Sequence, residues 1–249
     1  MMSTHTLFEL LVAVHIVTGA VGLVSFWVPV AGRKGGRNHA RFGKLFTMTM
    51  LITGCVAIGI ALTTLSDPLA THPQLADHPQ FGDSALIAGI FGWMMLYLAT
   101  LTINLAWHGW LCIQNRRDHL ANRAWHNLAL QVLLTLASAN CAWRGWQLQQ
   151  PLMMAISLVG FATVATNLWF LYKPNPRPLD RLKEHIKSLV GAGISVYTAF
   201  FAFGAVRFIP EIALTPALWS VPLITGLTLI IWHQRAVALR LRARPVQAS

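Results

Sequence analysis

Gly32-Arg-Lys-Gly-Gly-Arg-Asn-His-Ala-Arg-Phe-Gly-Lys44 decides the fold. Five basic residues (Arg33, Lys34, Arg37, Arg41, Lys44) stand between two apolar runs, at 6–31 and 45–65. The pattern recurs at 113–125 (Arg116, Arg117, Arg123), at 173–187 (Lys173, Arg177, Arg181, Lys183, Lys187) and in the tail (Arg235, Arg240, Arg242, Arg244). These four clusters hold seventeen of the nineteen Lys and Arg residues, and long apolar runs separate them. Basic loops alternating with apolar runs mark a polytopic membrane protein, because positive charge is retained on the cytoplasmic side.

Composition agrees. The 249 residues are 55% hydrophobic and only 11% charged, and mean hydropathy is +0.54. A soluble domain carries about a quarter charged residues. The net charge of +11 does not point to nucleic acid. It is confined to short loops, where it faces anionic lipid headgroups. Three cysteines (Cys55, Cys112, Cys141), with no CxxC spacing, argue against a disulfide framework. The N-terminus lacks a basic leader and its apolar run is too long for a secretory signal.

A hydrocarbon core of about 30 Å needs about 20 apolar residues per helix. Seven segments satisfy this: 6–31, 45–65, 85–112, 126–148, 152–172, 185–208 and 216–233. The expectation is a single all-α domain over 1–249, with seven transmembrane helices, in a bacterial inner membrane. The loop at 66–84 carries Asp67, Asp77 and Asp83 and no Lys or Arg. The turn at 149–151 is neutral, and the loop at 209–215 carries only Glu211. Those three are expected outside, which puts the N-terminus outside and the C-terminus in the cytoplasm. Trp27, Trp110, Trp146, Trp169 and Trp232 fall near span ends, as an interfacial aromatic belt does. A short duplication in the outer loop, Leu69-Ala-Thr-His-Pro-Gln and Leu75-Ala-Asp-His-Pro-Gln, reads as a flexible polar loop, with a metal between His72 and His78 as the weaker reading.

The chemistry is carried by ten histidines. His39, His108, His119, His126, His185 and His233 gather at the cytoplasmic boundary. Imidazole is the commonest ligand for transition metals and a common axial ligand of heme iron. The sequence therefore offers His39, His108, His126, His185 and His233 as metal ligands, and His15, His39, His126 and His185 as cofactor contacts. For each one singly, a solvated interfacial imidazole is the simpler reading. His15 lies alone inside its span, about 20 Å from the others by helix rise, so it cannot share their site. Thr18, Gly19 and Gly22 share its helix face, which suits close helix packing or a flat ligand such as a porphyrin or quinone ring. Glu9, Arg144 and Arg207 lie near outer span ends, where a Glu9–Arg144 ion pair or snorkelling would relieve their burial. Acidic residues are almost absent from the span interiors, which argues against a carboxylate proton relay. HExxH, GxSxG and phosphate-binding glycine loops are absent from the sequence.

Three stretches are familiar. Val14-His-Ile-Val-Thr-Gly-Ala-Val-Gly22, followed by Arg33-Lys-Gly-Gly-Arg-Asn-His-Ala-Arg-Phe-Gly-Lys-Leu-Phe46, resembles the His-Ile-x-x-Gly … Lys-Gly-x-x-x-His-x-x-x-Gly opening of a group of bacterial membrane proteins of unknown function. Glu184-His-Ile-Lys-Ser-Leu-Val-Gly-Ala-Gly-Ile-Ser-Val-Tyr-Thr-Ala-Phe-Phe201 resembles their His-Ile … Gly-x-Gly-Ile … Thr-Ala-Phe helix, and Arg116-Arg-Asp-His119 more weakly resembles an inner loop of the same group. The resemblance implies the topology and singles out His15, His39 and His185. It implies no reaction.

Three functions are open at this point. The first is a membrane redox protein holding a b-type heme or a transition metal and exchanging electrons with quinone. The second is a non-enzymatic accessory or binding subunit, or a small-molecule carrier, with structural histidines. The third is a zinc-dependent membrane hydrolase, for which zinc wants three protein ligands and an open position. Anionic headgroups on the cytoplasmic side, and a membrane complex or homo-oligomer, are the expected partners.

Overall fold

A computed structural model describes residues 3–79, 81–206 and 215–242. Arg207, Glu211 and Arg244 lie outside the described residues. Among the described residues, seven long helices follow in order: α1 (Thr4–Ala31), α2 (Arg37–Ser66), α3 (Ser84–Gln114), α4 (Trp125–Gln147), α5 (Pro151–Leu171), α6 (Pro178–Val206) and α7 (Pro216–Arg242). Among the described residues there is no strand. Five of the seven, α1, α2, α3, α5 and α7, are long and apolar enough to cross a membrane. The other two are more polar for an identifiable reason. α4 carries Asn127, Gln131 and Ser138, and α6 carries Glu184, Lys187 and Ser188, and most of these side chains are buried in the bundle rather than turned to lipid.

Local chemistry sets the ends. The Ser3 hydroxyl accepts from Thr6 N–H and starts α1, while the Asp83 carboxylate accepts from Ala85 N–H at 2.8 Å and starts α3. Pro151, Pro178 and Pro216 each take the first position of a helix, where no N–H is needed. Gly35 turns the chain between α1 and α2 at φ +75°, a left-handed conformation that a side chain would strain. The last carbonyls of α1 are closed by side chains of the following turn and of the first turn of α2. Lys34 donates to the carbonyls of Pro29 and Val30, and His39 Nδ1 meets Pro29 O at 3.2 Å. The end of α5 is closed the same way, by His119 Nε2 and Arg123 Nε on the Leu171 carbonyl.

α1 lies along α2. α3 is central and packs on α2, α4 and α6. α4 pairs with α5, and α6 with α7. The outer flanks are bare hydrocarbon. Ile16, Val17 and Val24 on α1 are 55%, 64% and 74% exposed, which in water would be an adhesive patch and in a bilayer is the lipid face. Trp146, Trp169 and Trp232 are also exposed.

The loop expected to be polar and flexible folds over one end of the bundle instead. Its two copies part company: Leu69 is exposed, whereas Leu75 and the following Phe81 are buried. His72 is buried with them, its ring 4.5 Å from that of Phe91 and 5.1 Å from that of Phe8. Burial pushes its pKa down to about 4. Only the neutral ring fits, so the loop's packing is fully stable above pH 6.5. Stability is lost as pH falls from there towards 4, because the unfolded loop takes up the proton first. Hydrogen exchange of residues 71–79 should accelerate over that window. In His72→Phe the acceleration should vanish, and its persistence there would assign the effect to another group.

Candidate functional site

The basic end of the bundle holds the largest group of buried polar side chains. His108 and Asn104 come from α3, Gln131 from α4, Asn167 from α5 and Glu184 from α6, with the part-buried Lys187 of α6 and the exposed Thr166 of α5 at the edge. Glu184 Oε1 lies 3.1 Å from His108 Nε2 and 2.5 Å from Lys187 Nζ. Lys187 Nζ also donates to Asn167 Oδ1 at 3.0 Å and to Thr166 Oγ1 at 2.9 Å. Its three N–H bonds therefore meet three acceptors. Asn167 Nδ2 passes the connection on, to Asn104 Oδ1 at 2.9 Å and Gln131 Oε1 at 3.2 Å. His108, Asn104 and Asn167 are completely buried. A carboxylate whose side chain is only 11% exposed, beside a part-buried ammonium, survives only within a hydrogen-bonded set. Three buried atoms around it, His108 Nδ1, Asn104 Nδ2 and Ser188 Oγ, lack a protein partner.

Glu184, expected in the loop ahead of the span at 185–208, is instead buried within α6. Residues 173–184 read as a basic loop in one dimension, with a span beginning at 185. The helix in fact begins at Pro178, so Glu184 and Lys187, three apart, share a face turned into the bundle.

The histidines divide by position. His185 Nδ1 lies 2.9 Å from the Gly109 carbonyl of α3, and His39 Nδ1 lies against the Pro29 carbonyl of α1. A carbonyl only accepts, so Nδ1 carries the proton in both neutral rings and Nε2 keeps the lone pair. Metal-ligating imidazoles are typically held this way. His39 is within electrostatic reach of both His185 and His233. The Nε2 of His233 is buried without a hydrogen-bond partner. Three of the expected ligands thus share one region. The other two do not join them: His108 is committed to Glu184, and His126 stands edge-on to the rings of Trp107 and Trp125 at 5.6 and 5.9 Å. Among the described residues, no three His, Cys, Asp or Glu side chains form a group that could hold a metal ion.

His15 donates Nδ1–H to Thr53 O at 3.3 Å. The small-residue stripe beneath it is filled by α2: Thr53 Oγ1 meets Thr18 Oγ1 at 2.9 Å, and Met50 lies against Gly22. The cavity left beside His15 is about 40 Å³, far too small for a porphyrin or a quinone ring, so the flat-ligand reading of this stripe is withdrawn. Glu9 is exposed. Arg144 turns to Gln147 Oε1 at 3.2 Å and to the Trp93 ring at 5.3 Å, so the Glu9–Arg144 pair is not made in this structure.

A second opening, of about 250 Å³, lies between α1, α6 and α7. Phe26, Trp27, Gly193, Tyr197 and Pro222 are among its walls. Trp27 Nε1–H donates to Tyr197 Oη at 2.5 Å, and Tyr197 Oη donates to Leu23 O at 3.0 Å. The opening is an apolar slot with an aromatic, hydrogen-bonding lip.

Comparison with known families, curated proteins and solved structures gives no match for this chain.

Proposed function

We propose that this chain is a seven-helix protein of the bacterial inner membrane, with its N-terminus outside and its basic end in the cytoplasm, and that it carries electrons. The basic loops facing anionic headgroups support that orientation. The residues for the redox centre are His39 and His185. One observation carries the reading: two imidazoles from different helices share a region, each with Nδ1 bound to a backbone carbonyl and Nε2 left as the donor. That donor set suits a group taking two axial imidazoles, which is a b-type heme. Hydrolytic zinc needs three protein ligands, and among the described residues no three His, Cys, Asp or Glu side chains form a group that could hold a metal ion, which favours the heme reading over the zinc hydrolase. Bound heme would supply one-electron chemistry. The chain's own part is to fix both rings through Pro29 O and Gly109 O. The slot lipped by Trp27 and Tyr197 is the entrance for a quinone from the bilayer.

The test is the visible spectrum of protein purified from cells supplied with heme precursor. A Soret band that shifts on reduction is expected, lost in His39→Ala and in His185→Ala and retained in His126→Ala. A colourless wild-type protein overturns the redox reading and leaves the accessory or binding subunit in its place.

A further inference from the structure

Where α5 stops at the basic end, the turn before α4 and the start of α6 each bring a guanidinium, and neither meets an acid. Leu171, the last residue of α5, offers its carbonyl to His119 Nε2 at 3.1 Å and to Arg123 Nε at 2.7 Å. Arg123 also lies over the Tyr172 ring, 4.9 Å from its centroid. The guanidinium is thus held by Nε and by its face, and its two Nη groups bond to none of the described residues. The second guanidinium is Arg181, in the first turn of α6. Its Nε is buried and has no hydrogen-bond partner. Both stand within electrostatic reach of the His119 ring. The acids close in sequence are committed elsewhere. Asp180 accepts from Lys173 at 3.1 Å and from Arg177 at 3.5 Å. Asp118 caps the N–H groups of Leu120 and Ala121, and Glu184 holds His108 and Lys187. We propose that Arg123 and Arg181 form a binding site for the phosphodiester of an anionic phospholipid in the leaflet at the basic end.

The donors decide the ligand class. A guanidinium presents paired N–H groups in one plane, which match two oxygens of a phosphate. Two half-buried positive charges on one side of the bundle are costly until an anion joins them. His119 is not itself a ligand. Its Nε2 is spent on Leu171 O, and its Nδ1 lies 3.5 Å from Asn122 Nδ2. The ring is the fixed spacer between the two arginines.

The surroundings decide where that phosphate comes from. Leu120 and Trp125 flank Arg123 in the chain, and Trp169 and Tyr172 flank Leu171, and all four are exposed. A soluble phosphate has no use for such a collar. A lipid does: its acyl chains and glycerol lie against the apolar side chains, while tryptophan and tyrosine sit at headgroup depth. Basic pockets between membrane helices on the cytoplasmic side hold anionic headgroups in this way. A zwitterionic lipid brings an ammonium to the same two cations and is rejected by like charge.

The inference rests on the bilayer placement proposed above and not on heme, since it uses neither His39 nor His185. A chain that stays soluble without detergent would defeat the placement, whereas lost lipid selectivity defeats only this site. The test is native mass spectrometry of the full chain, released from micelles holding equal amounts of phosphatidylglycerol and phosphatidylcholine. One phosphatidylglycerol should be retained per chain. Arg181→Gln and Arg123→Gln should each weaken retention at least about tenfold, the loss expected for one charge-assisted hydrogen bond. Arg116→Gln/Arg117→Gln, which removes two exposed loop charges, should retain the lipid as the parent does. Thermal unfolding adds a readout that a structural role would not give. In lipid-free detergent Arg181→Gln should be at least as stable as the parent, because its guanidinium has no acceptor there. Phosphatidylglycerol should then raise the midpoint of the parent and leave that of Arg181→Gln unmoved. If Arg123→Gln loses its bond to Leu171 and fails to fold, Arg181→Gln carries the test alone. Equal retention of phosphatidylcholine, or an equal loss in the loop variant, overturns the site in favour of unspecific adhesion or diffuse charge. Displacement of the lipid by millimolar inorganic phosphate overturns it in favour of a soluble anion.

Discussion

Lys187→Met should destabilise the protein by about 3 kcal/mol or more, the usual cost of stranding one partner of a buried ion pair. The methionine side chain replaces the stem of Lys187 well. What is lost is the ammonium whose three bonds reach Glu184, Asn167 and Thr166. Glu184, 9% exposed, is then left with His108 Nε2 as its only remaining contact of this set. Ordinary hydrogen bonds between membrane helices contribute well under this, on the order of 0.6 kcal/mol each. A loss near 3 therefore separates the stranding of a charge from the trimming of a polar contact. The double variant Glu184→Gln/Lys187→Met is the necessary companion. It removes both charges and should recover most of the loss, because neutral Gln still bonds to His108. Unfolding in mixed micelles measures all three proteins. A single variant within 1 kcal/mol of the parent, or a double no better than the single, would show that the pair is not charged in the folded protein.

Glu184 and Lys187 also mark the limit of what could be read in one dimension. Hydropathy and breakers located the helices, because the requirements for a span are local: enough apolar residues, and Gly35, Pro151 or Pro178 where the chain turns. Depth was legible as well, since rise per residue places His15 far from the basic end without any neighbour. Azimuth was not. His126 and His185 lie at similar depth, yet His126 stands among tryptophans at the flank of α4 while His185 is tied into α3. Nothing in the sequence says which helix faces which. Glu184 and Lys187 were hidden for a related reason. Glu184 sits in a stretch whose net charge reads as loop and Lys187 just inside the following span, and only the helix starting at Pro178 gives the two a common inward face. One signal was present. Asn104, Gln131 and Asn167 lie within apolar segments, and each amide needs a partner where lipid supplies none. Three such amides at matching depth ask for a shared polar centre, and the charged residues at the start of α6 were the ones available to complete it.

Gly160 shows the opposite case, in which the neighbours decide everything and the sequence is silent. On helix propensity alone, Gly160→Ala should stabilise α5 by about 1 kcal/mol. The packing reverses the sign. A Cβ at 160 would overlap Ser138 Oγ and stand 2.8 Å from Tyr97 Cε2. Neither neighbour can retreat. Tyr97 and Ser138 are completely buried, the Tyr97 hydroxyl donates to Ile156 O at 2.6 Å, and the Ser138 hydroxyl donates to Leu134 O at 2.7 Å. Overpacking of this kind costs about 1–3 kcal/mol, so after the propensity gain the expected net result is destabilisation by about 1 kcal/mol, with α3, α4 and α5 forced apart. Gly43→Ala is the control, because its added Cβ meets nothing within 4 Å and it lies within α2. It should show the propensity gain alone. Adding Ser138→Ala to Gly160→Ala removes the atom in closest conflict and should return about half of the loss. Were Gly160→Ala as stable as Gly43→Ala, the three-helix seam through Tyr97 would have to be looser than its buried geometry implies.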